Sequence, residues 1–268
     1  MTAWRFLNTG HRDGATNMAV DEAILAAVNR EESPPTVRVY GWEPPTVSMG
    51  YSQNVERELD LDACRSRGYG VVVRPTGGRA VLHAGELTYS VVGPSGTEPL
   101  GVTIMESYLA IAQALVAGLG FLGLSVELAQ VSADPRERGG AASPPCFASA
   151  GRYEVVVGGR KLIGSAQRRV GRSVLQHGSL LIDSTHEALA EVQRVRTERE
   201  REVFRRALRS KTTTLEVELG RAVSFDEVAS AIRRGFEDAW GVKLTEGSLT
   251  SIEEETSRKL ATERAVAG

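Results

Sequence analysis

At 268 residues, with 41% hydrophobic and 25% charged side chains, the chain is long enough to bury a sizeable core in one large domain or two small ones, and disorder is not its expected state. A formal charge of −2 gives no global reason to expect nucleic acid or an anionic membrane as partner, and two cysteines are too few for a disulfide framework. The opening residues, MTAWRFLNTGHRDG, lack the basic-then-apolar pattern of a secretion signal, so the expectation is a cytoplasmic protein with reduced thiols.

Along the chain, TNMAVDEAILAAVNR has a polar start at Thr16 or Asn17 and apolar residues at Met18, Ile24, Leu25 and Val28, one face of a helix that packs against a sheet. Short β-branched runs at 36–40, 46–50, 70–74, 80–83 and 87–92, punctuated by Gly and Pro, predict strands. LDLDACRSRG puts Cys64 on the apolar side of a short helix, a packing position.

RPTGGRAVLH, Arg74 to His83, follows a predicted strand and sets two glycines between arginines. Backbone N–H groups there can approach an anion or a carbonyl oxygen without side-chain obstruction. A plain Gly-Gly turn explains the spacing equally well, and the stretch is neither a Walker loop nor a Rossmann fingerprint. His83 and Glu86 invite a reading as base or metal ligand. Four scattered histidines without ligand spacing give no expectation of a metal.

Val102 to Leu124 reads as a central helix. Its stretch Ser107 to Leu124 is the one candidate membrane span, but Gln113, three late glycines and an alanine-rich composition favour a buried core helix. GGAASPP then closes a loop of roughly 15 residues, a length uncommon unless the loop is functional or mobile. In SPPCFASAGRYE that loop holds Cys146 on a Pro-Pro step, whereas a packing cysteine belongs in a periodic apolar run; by residue type alone, Cys146 is a small apolar filler.

YEVVVGGRKLIGSAQRR is two strand-like runs flanking Gly158-Gly159, a dipeptide suited to a tight hairpin turn. Strand alternation points Lys161 and Ile163 to one face, and Arg160 and Leu162 to the other. Lys161 is either a lysine snorkelling from a sheet edge or a desolvated ammonium facing a cavity, for which Gly164-Ser165-Ala166 leave room. In the second case it stabilises a nearby Cys146 thiolate and lowers the thiol pKa from its reference of about 8.5. SVLQHGSLLI (173–182) supplies another strand, and 187–208 has helical spacing at Val192, Val195, Val203, Phe204 and Leu208. SFDEVASAIRRGFEDAWG opens with a Ser224/Glu227 capping pattern and closes at Gly241. Helix, strands, helix, strands, helices is the order of an α+β fold, a mixed sheet flanked by helices, rather than a doubly wound one. The expected organisation is a single catalytic domain over 1–250 and a polar C-terminal tail over 251–268.

Together NMAVDEAIL, RPTGGRAVLH, ELTYS, GRKLIGSAQRR and LQHGSLLI resemble the lipoyl-attachment enzymes: octanoyltransferases, lipoate–protein ligases and, more distantly, biotin–protein ligases. That resemblance covers most of the chain and implies the mixed-sheet catalytic-domain fold of the superfamily. PCF, then YE, then GRKLIGSAQ is similar to the bacterial octanoyltransferases whose cysteine precedes the lysine, and no second candidate cysteine follows Lys161. It implies Cys146 as acyl-thioester nucleophile and Lys161 as the group that lowers its pKa. It also implies Arg74, Gly77, Gly78, Ala80, His83, Gly164, Ser165, His177 and Gly178 as residues of the acyl tunnel or its mouth.

The implied donor is an octanoyl-acyl carrier protein and the implied acceptor a lysine of a lipoyl domain, the glycine-cleavage H protein first. A donor thioester is already activated, so no ATP and no other cofactor is expected. Amides near Gly77-Gly78 or Gly164-Ser165 are both candidates for the oxyanion, and sequence does not choose between them. The competing readings are an ATP-dependent lipoate–protein ligase, an amidotransferase between lipoyl domains, and a non-catalytic acyl or carrier-protein binder. RVRTEREREVFRRALRSK could receive an acidic carrier, although a charge run is usually a solvated helix face.

Overall fold

The computed structural model describes residues 3–130 and 153–266. In chain order they form β1 (Trp4–Arg12), α1 (Gly14–Asn29), β2 (Thr36–Trp42), β3 (Thr46–Met49), α2 (Val55–Glu58), α3 (Leu61–Ser66), β4 (Gly70–Val73), β5 (Val81–His83) and β6 (Glu86–Pro94). Next come α4 (Ile104–Phe121), β7 (Glu127–Gln130), β8 (Tyr153–Val157), β9 (Arg160–Val170), β10 (Ser173–Leu181), α5 (Leu189–Val192), α6 (Glu198–Lys211), α7 (Leu215–Leu219), α8 (Phe225–Trp240), β11 (Leu244–Glu246) and α9 (Ser251–Val266).

Among the described residues the strands form two sheets. One is eight-stranded in the order β11-β1-β2-β6-β10-β9-β8-β7, and the other is β4-β3-β5. β1 runs parallel to β2 and β11, while β2, β6, β10, β9, β8 and β7 pair antiparallel in succession. The sheet is therefore mixed, as the α+β reading requires.

Strand alternation splits β6 between two layers. Leu87, Tyr89 and Val91 join Ile111, Leu115, Ile232 and Phe236 in the core under α4 and α8, whereas Val92 packs with Val20, Ile24 and Leu25 of α1 on the opposite face. α4 and α8 cross where Gly118 meets Gly235. A Cβ on Gly235 would lie 2.2 Å from the Gly118 nitrogen, so only glycine permits that approach. The apolar α4 is thus a core helix, with Ile111, Ala114, Leu115, Gly118 and Leu119 buried. The smaller sheet covers a second core of Val47, Met49, Leu59, Cys64, Leu82, Leu189, Val192 and Leu208.

Local signals account for most boundaries. Asp13 caps α1 by accepting from the Thr16 amide at 2.8 Å, three residues ahead of the polar start expected from sequence. Gly158 (φ 53°) and Gly159 (φ 74°) make the β8–β9 turn, and Ser224 with left-handed Gly241 bounds α8. The helix expected over 187–208 is instead broken. Asp60 donates to Val192 O and Arg194 to Glu58 O, which draws 192–194 into extended pairing before Thr197 caps α6. Residues Ser251–Val266 form the polar α9, which is held by Glu253, fully buried and bonded to both terminal nitrogens of Arg5 at 2.9 and 2.6 Å.

Candidate active site

Between the smaller sheet and the α1-facing side of the larger one lies a cavity with about 410 Å³ of empty space, its open mouth included. Tyr40 and Trp42 of β2, Ser48 of β3, Val81 and His83 of β5, Thr88 of β6, Gly164–Ala166 of β9 and His177–Ser179 of β10 line it, with Met18 and Arg74. No carboxylate is among these described residues. Met18, Tyr40, Trp42 and Val81 give it an apolar wall.

Six residues singled out from sequence meet in this wall: Arg74, His83, Gly164, Ser165, His177 and Gly178. Arg74 is buried and braces the loop that follows it. Its Nε and Nη2 donate to Gly77 O at 3.2 and 2.8 Å, Nη2 also to Arg79 O at 2.7 Å, and Nη1 to Ser48 O at 2.9 Å. With the Gly77 carbonyl turned toward Arg74, the trans peptide directs the Gly78 N–H the opposite way. Gly77 and Gly78 (φ 97°) sit in this loop, outside the cavity lining, and Ala80 is buried in the second core. Gly178 lies where strands meet closely: a Cβ there would be 2.5 Å from Gly164 O and 2.7 Å from Tyr89 Cε1.

His177 anchors a buried chain of polar groups. Its Nδ1 is 3.1 Å from Asp21 Oδ2 and its Nε2 is 2.6 Å from Thr76 Oγ1. The carboxylate only accepts, so the neutral ring carries its proton on Nδ1, and Nε2 accepts from the Thr76 hydroxyl. Asp21 is also held by Arg38 Nη1 at 2.7 Å and by the Tyr40 hydroxyl at 2.9 Å. Burial alone would raise the Asp21 carboxyl, but the Arg38 charge and the hydrogen bonds from His177 and Arg38 outweigh it and hold the carboxyl below its ordinary value. Sequence reasoning missed Asp21, Arg38 and Thr76. These partners are 17, 101 and 156 residues apart, and only the fold joins them.

His83 is placed differently. Its ring stacks on Trp42 with centroids 4.0 Å apart, and Nε2 is 2.8 Å from Ser48 Oγ. Nδ1 lies 3.5 Å from Glu86 Oε1, outside hydrogen-bond geometry, and is buried without a hydrogen-bond partner. Burial pushes the imidazole below its ordinary pKa, against the pull of Glu86. On the other face of β9, Ser165 Oγ is 2.7 Å from the Tyr89 hydroxyl, to which Gln176 donates at 3.0 Å. Burial drives the Tyr89 phenol up to about 12, against both of those bonds.

Lys161 is the second residue of β9, with its side chain buried, and Nζ meets Glu154 Oε1 of β8 at 2.5 Å. It is the desolvated rather than the snorkelling lysine, with a carboxylate beside it that sequence reasoning passed over. The Gly-Gly hairpin was the available signal, because it folds β8 back along β9, with Val156 opposite Lys161 and Glu154 two residues further along β8. Cys146 lies outside the described residues. Cys64 is buried in the second core, and burial raises its thiol pKa, as a packing cysteine requires.

The largely apolar cavity is walled by Gly164–Ala166 of the same strand that carries the buried Lys161. The sequence pattern of the lipoyl protein ligase A/B catalytic domain matches residues 13–237, and the chain belongs to that family. Octanoyltransferase LipM of Kyrpidia tusciae is 46% identical over 261 residues, 97% of this chain and 95% of that one. A protein of the same name from Symbiobacterium thermophilum is 47% identical over 264 residues, covering 97% and 94%. Among solved structures, a lipoate-protein ligase A bound with ATP superposes with a TM-score of 0.80 at 26% identity, covering 98% of this chain and 95% of that one. The bi-partite lipoate protein ligase of Thermoplasma acidophilum gives 0.79 at 26%, covering 98% and 93%. Within the family the chain is an acyltransferase, and its activity is octanoyl transfer in protein lipoylation.

Proposed function

We propose that the protein takes octanoyl from an octanoyl-acyl carrier protein onto Cys146 as a thioester and passes it to a lysine of a lipoyl domain. The observation that carries this reading is the buried Lys161 ammonium at the start of the strand whose Gly164–Ala166 form a wall of the acyl cavity. A cation held out of water favours a neighbouring thiolate. The ion pair with Glu154 tempers that effect, since part of the lysine's charge is already answered.

Thioester exchange onto Cys146 costs little free energy, so the first half-reaction needs no nucleotide. Attack by the acceptor amine then forms the amide and releases the thiol. The loop braced by Arg74 offers amides to the developing oxyanion, with Gly78 the first to test. His83, His177 and Gly178 shape the cavity, and residues 1–250 act as one catalytic domain. The lipoyl-domain acceptor is supported by the lipoylation roles in the relatives' names, and the glycine-cleavage H protein is the first acceptor to try.

The same cavity in a ligase would hold an acyl adenylate, and the likeness to an ATP-bound ligase makes that the reading to exclude. Steady-state rates with octanoyl carrier protein and lipoyl domain both varied, and no nucleotide present, are expected to give parallel double-reciprocal lines. A requirement for ATP, or intersecting lines, would overturn the free acyl-enzyme.

A further inference from the structure

A second cavity, with about 500 Å³ of empty space, its open mouth included, shares Trp42 and His83 with the first as a common wall. Its remaining lining is His11, Ala84, Gly85, Glu86, Ile182, Val223 and Phe225. The two differ in charge: the acyl cavity contains Arg74 and no carboxylate, whereas the second contains Glu86.

Glu86 is a buried carboxylate with spare capacity. Two oxygens can accept about four hydrogen bonds, yet its hydrogen bonds come from a single hydroxyl, Thr88 Oγ1, at 2.8 and 3.0 Å. That hydroxyl in turn accepts from Trp42 Nε1 at 2.8 Å. The buried Nδ1 of His83 lies 3.5 Å from Glu86 Oε1 without a hydrogen bond to it or to any other described residue. Buried polar groups left open in this way point to a ligand with several donors. Trp42, His11 and Phe225 add aromatic surface, which suits a cation on an apolar stem.

The position also fits. β9–β10 pairing sets Ile163 opposite Leu180, so Lys161 stands at the same end of the sheet as Ile182, and the Ile182 amide bonds to Gly85 O at 2.9 Å. Ile182, in the lining of the second cavity, therefore lies at the end of the sheet that carries Lys161.

We propose that this cavity receives the acceptor's primary amine, a lysine side chain whose ammonium is bound by Glu86 and whose stem lies against Trp42 and Phe225. The inference rests on the acyl-enzyme reading above. One ammonium proton passes to the Glu86 carboxylate. The amine nitrogen then bonds to the thioester carbon as the C–S bond breaks, and the second proton leaves with the sulfur, so the products are an amide, a thiol and a protonated Glu86. The acyl chain and the amine approach the reacting carbon from two separate cavities, and His83 with Trp42 forms the partition.

The test uses the whole protein in two arms. In the first, unloaded enzyme is titrated with n-butylammonium and binding is followed by calorimetry; saturable binding in wild type, weakened at least tenfold in Glu86→Gln, is expected whatever the acyl chemistry. No binding, or equal binding by the variant, overturns the proposal. In the second, enzyme preloaded with octanoyl is chased with a lipoyl domain. Glu86→Gln should raise the acceptor KM at least tenfold with loading changed less than about threefold, and its chase rate should climb with pH as free amine forms. Phe225→Ala, on a wall that only the second cavity has, should raise the same KM with loading intact. An unchanged acceptor KM in both variants overturns the amine site. Absence of any acyl-enzyme in wild type overturns instead the reading on which this arm rests, and the butylammonium arm still decides the site.

Discussion

The two buried histidines beside the acyl cavity have opposite surroundings. His177 has both ring nitrogens engaged, with Asp21 behind it and Thr76 in front, and Asp21 is locked in turn by Arg38 and Tyr40. His83 has one nitrogen bonded to Ser48 and the other open beside a carboxylate that is itself underused. The first is a strut that ties α1 and β10 to the Arg74–Arg79 loop. The second has hydrogen-bonding capacity that the described residues do not use. Residue type and burial are the same at both positions, so the count of satisfied hydrogen bonds separates support from site.

The largest effect should come from breaking the strut at its charge. Asp21→Ala strands the buried Arg38 guanidinium, and removing one partner of a buried pair costs about 3–5 kcal/mol. Urea denaturation should show the midpoint falling with the slope unchanged. A loss below about 1 kcal/mol would mean that the Arg38 pair contributes little.

A milder cut at the other end is Thr76→Val, which leaves His177 Nε2 buried without its donor, at a cost of about 1–3 kcal/mol. Thr76→Ser keeps the hydroxyl and should recover most of that loss along with the acyl-donor KM. Equal behaviour of the two variants would show that the methyl group, and not the hydroxyl, holds the loop.

Acid should weaken the fold in two steps. Burial depresses the folded pKa of His83 and of His186. The unfolded chain therefore binds protons first as pH falls below about 6.5, and stability present above that value is lost on the way down. Asp21 is also depressed, so its share persists until pH falls below about 3.9, the ordinary Asp value. Tm should drop between pH 7 and pH 5, and His83→Gln should flatten but not abolish that slope, because His186 remains. A Tm independent of pH over this range would contradict the neutral burial of both rings.

The smallest effect belongs to Cys64→Ala in the second core, about 1 kcal/mol of stability with turnover unchanged. Loss of turnover there would put the reactive thiol at Cys64 and remove Cys146 from its proposed role.

Sequence disclosed the parts of the molecule whose causes are local. The β8–β9 hairpin followed from Gly158-Gly159, α8 from Ser224 and Gly241, and the central helix from its apolar run. β1 was not legible, because WRFLNTGHR is buried on both faces at its start and lacks alternation. β11 is three residues long, and α9 is polar around most of its surface, so neither offered a pattern. In the site, the Gly-rich loop and the small residues of β9 were visible as motifs. The Asp21–His177–Thr76 chain was not, since it depends on elements that only tertiary packing brings together, and the Glu154–Lys161 pair was passed over although the legible hairpin brings its two strands side by side.

The central claim is that octanoyl rests covalently on Cys146 between donor and acceptor. Intact mass after incubation with octanoyl carrier protein, without nucleotide, tests it most directly. Wild type and Cys64→Ala should each gain one octanoyl group, Cys146→Ala none, and Lys161→Ala should gain it only slowly at neutral pH and faster as pH rises. An adduct that persists in Cys146→Ala, or none in wild type until ATP is added, would contradict the account.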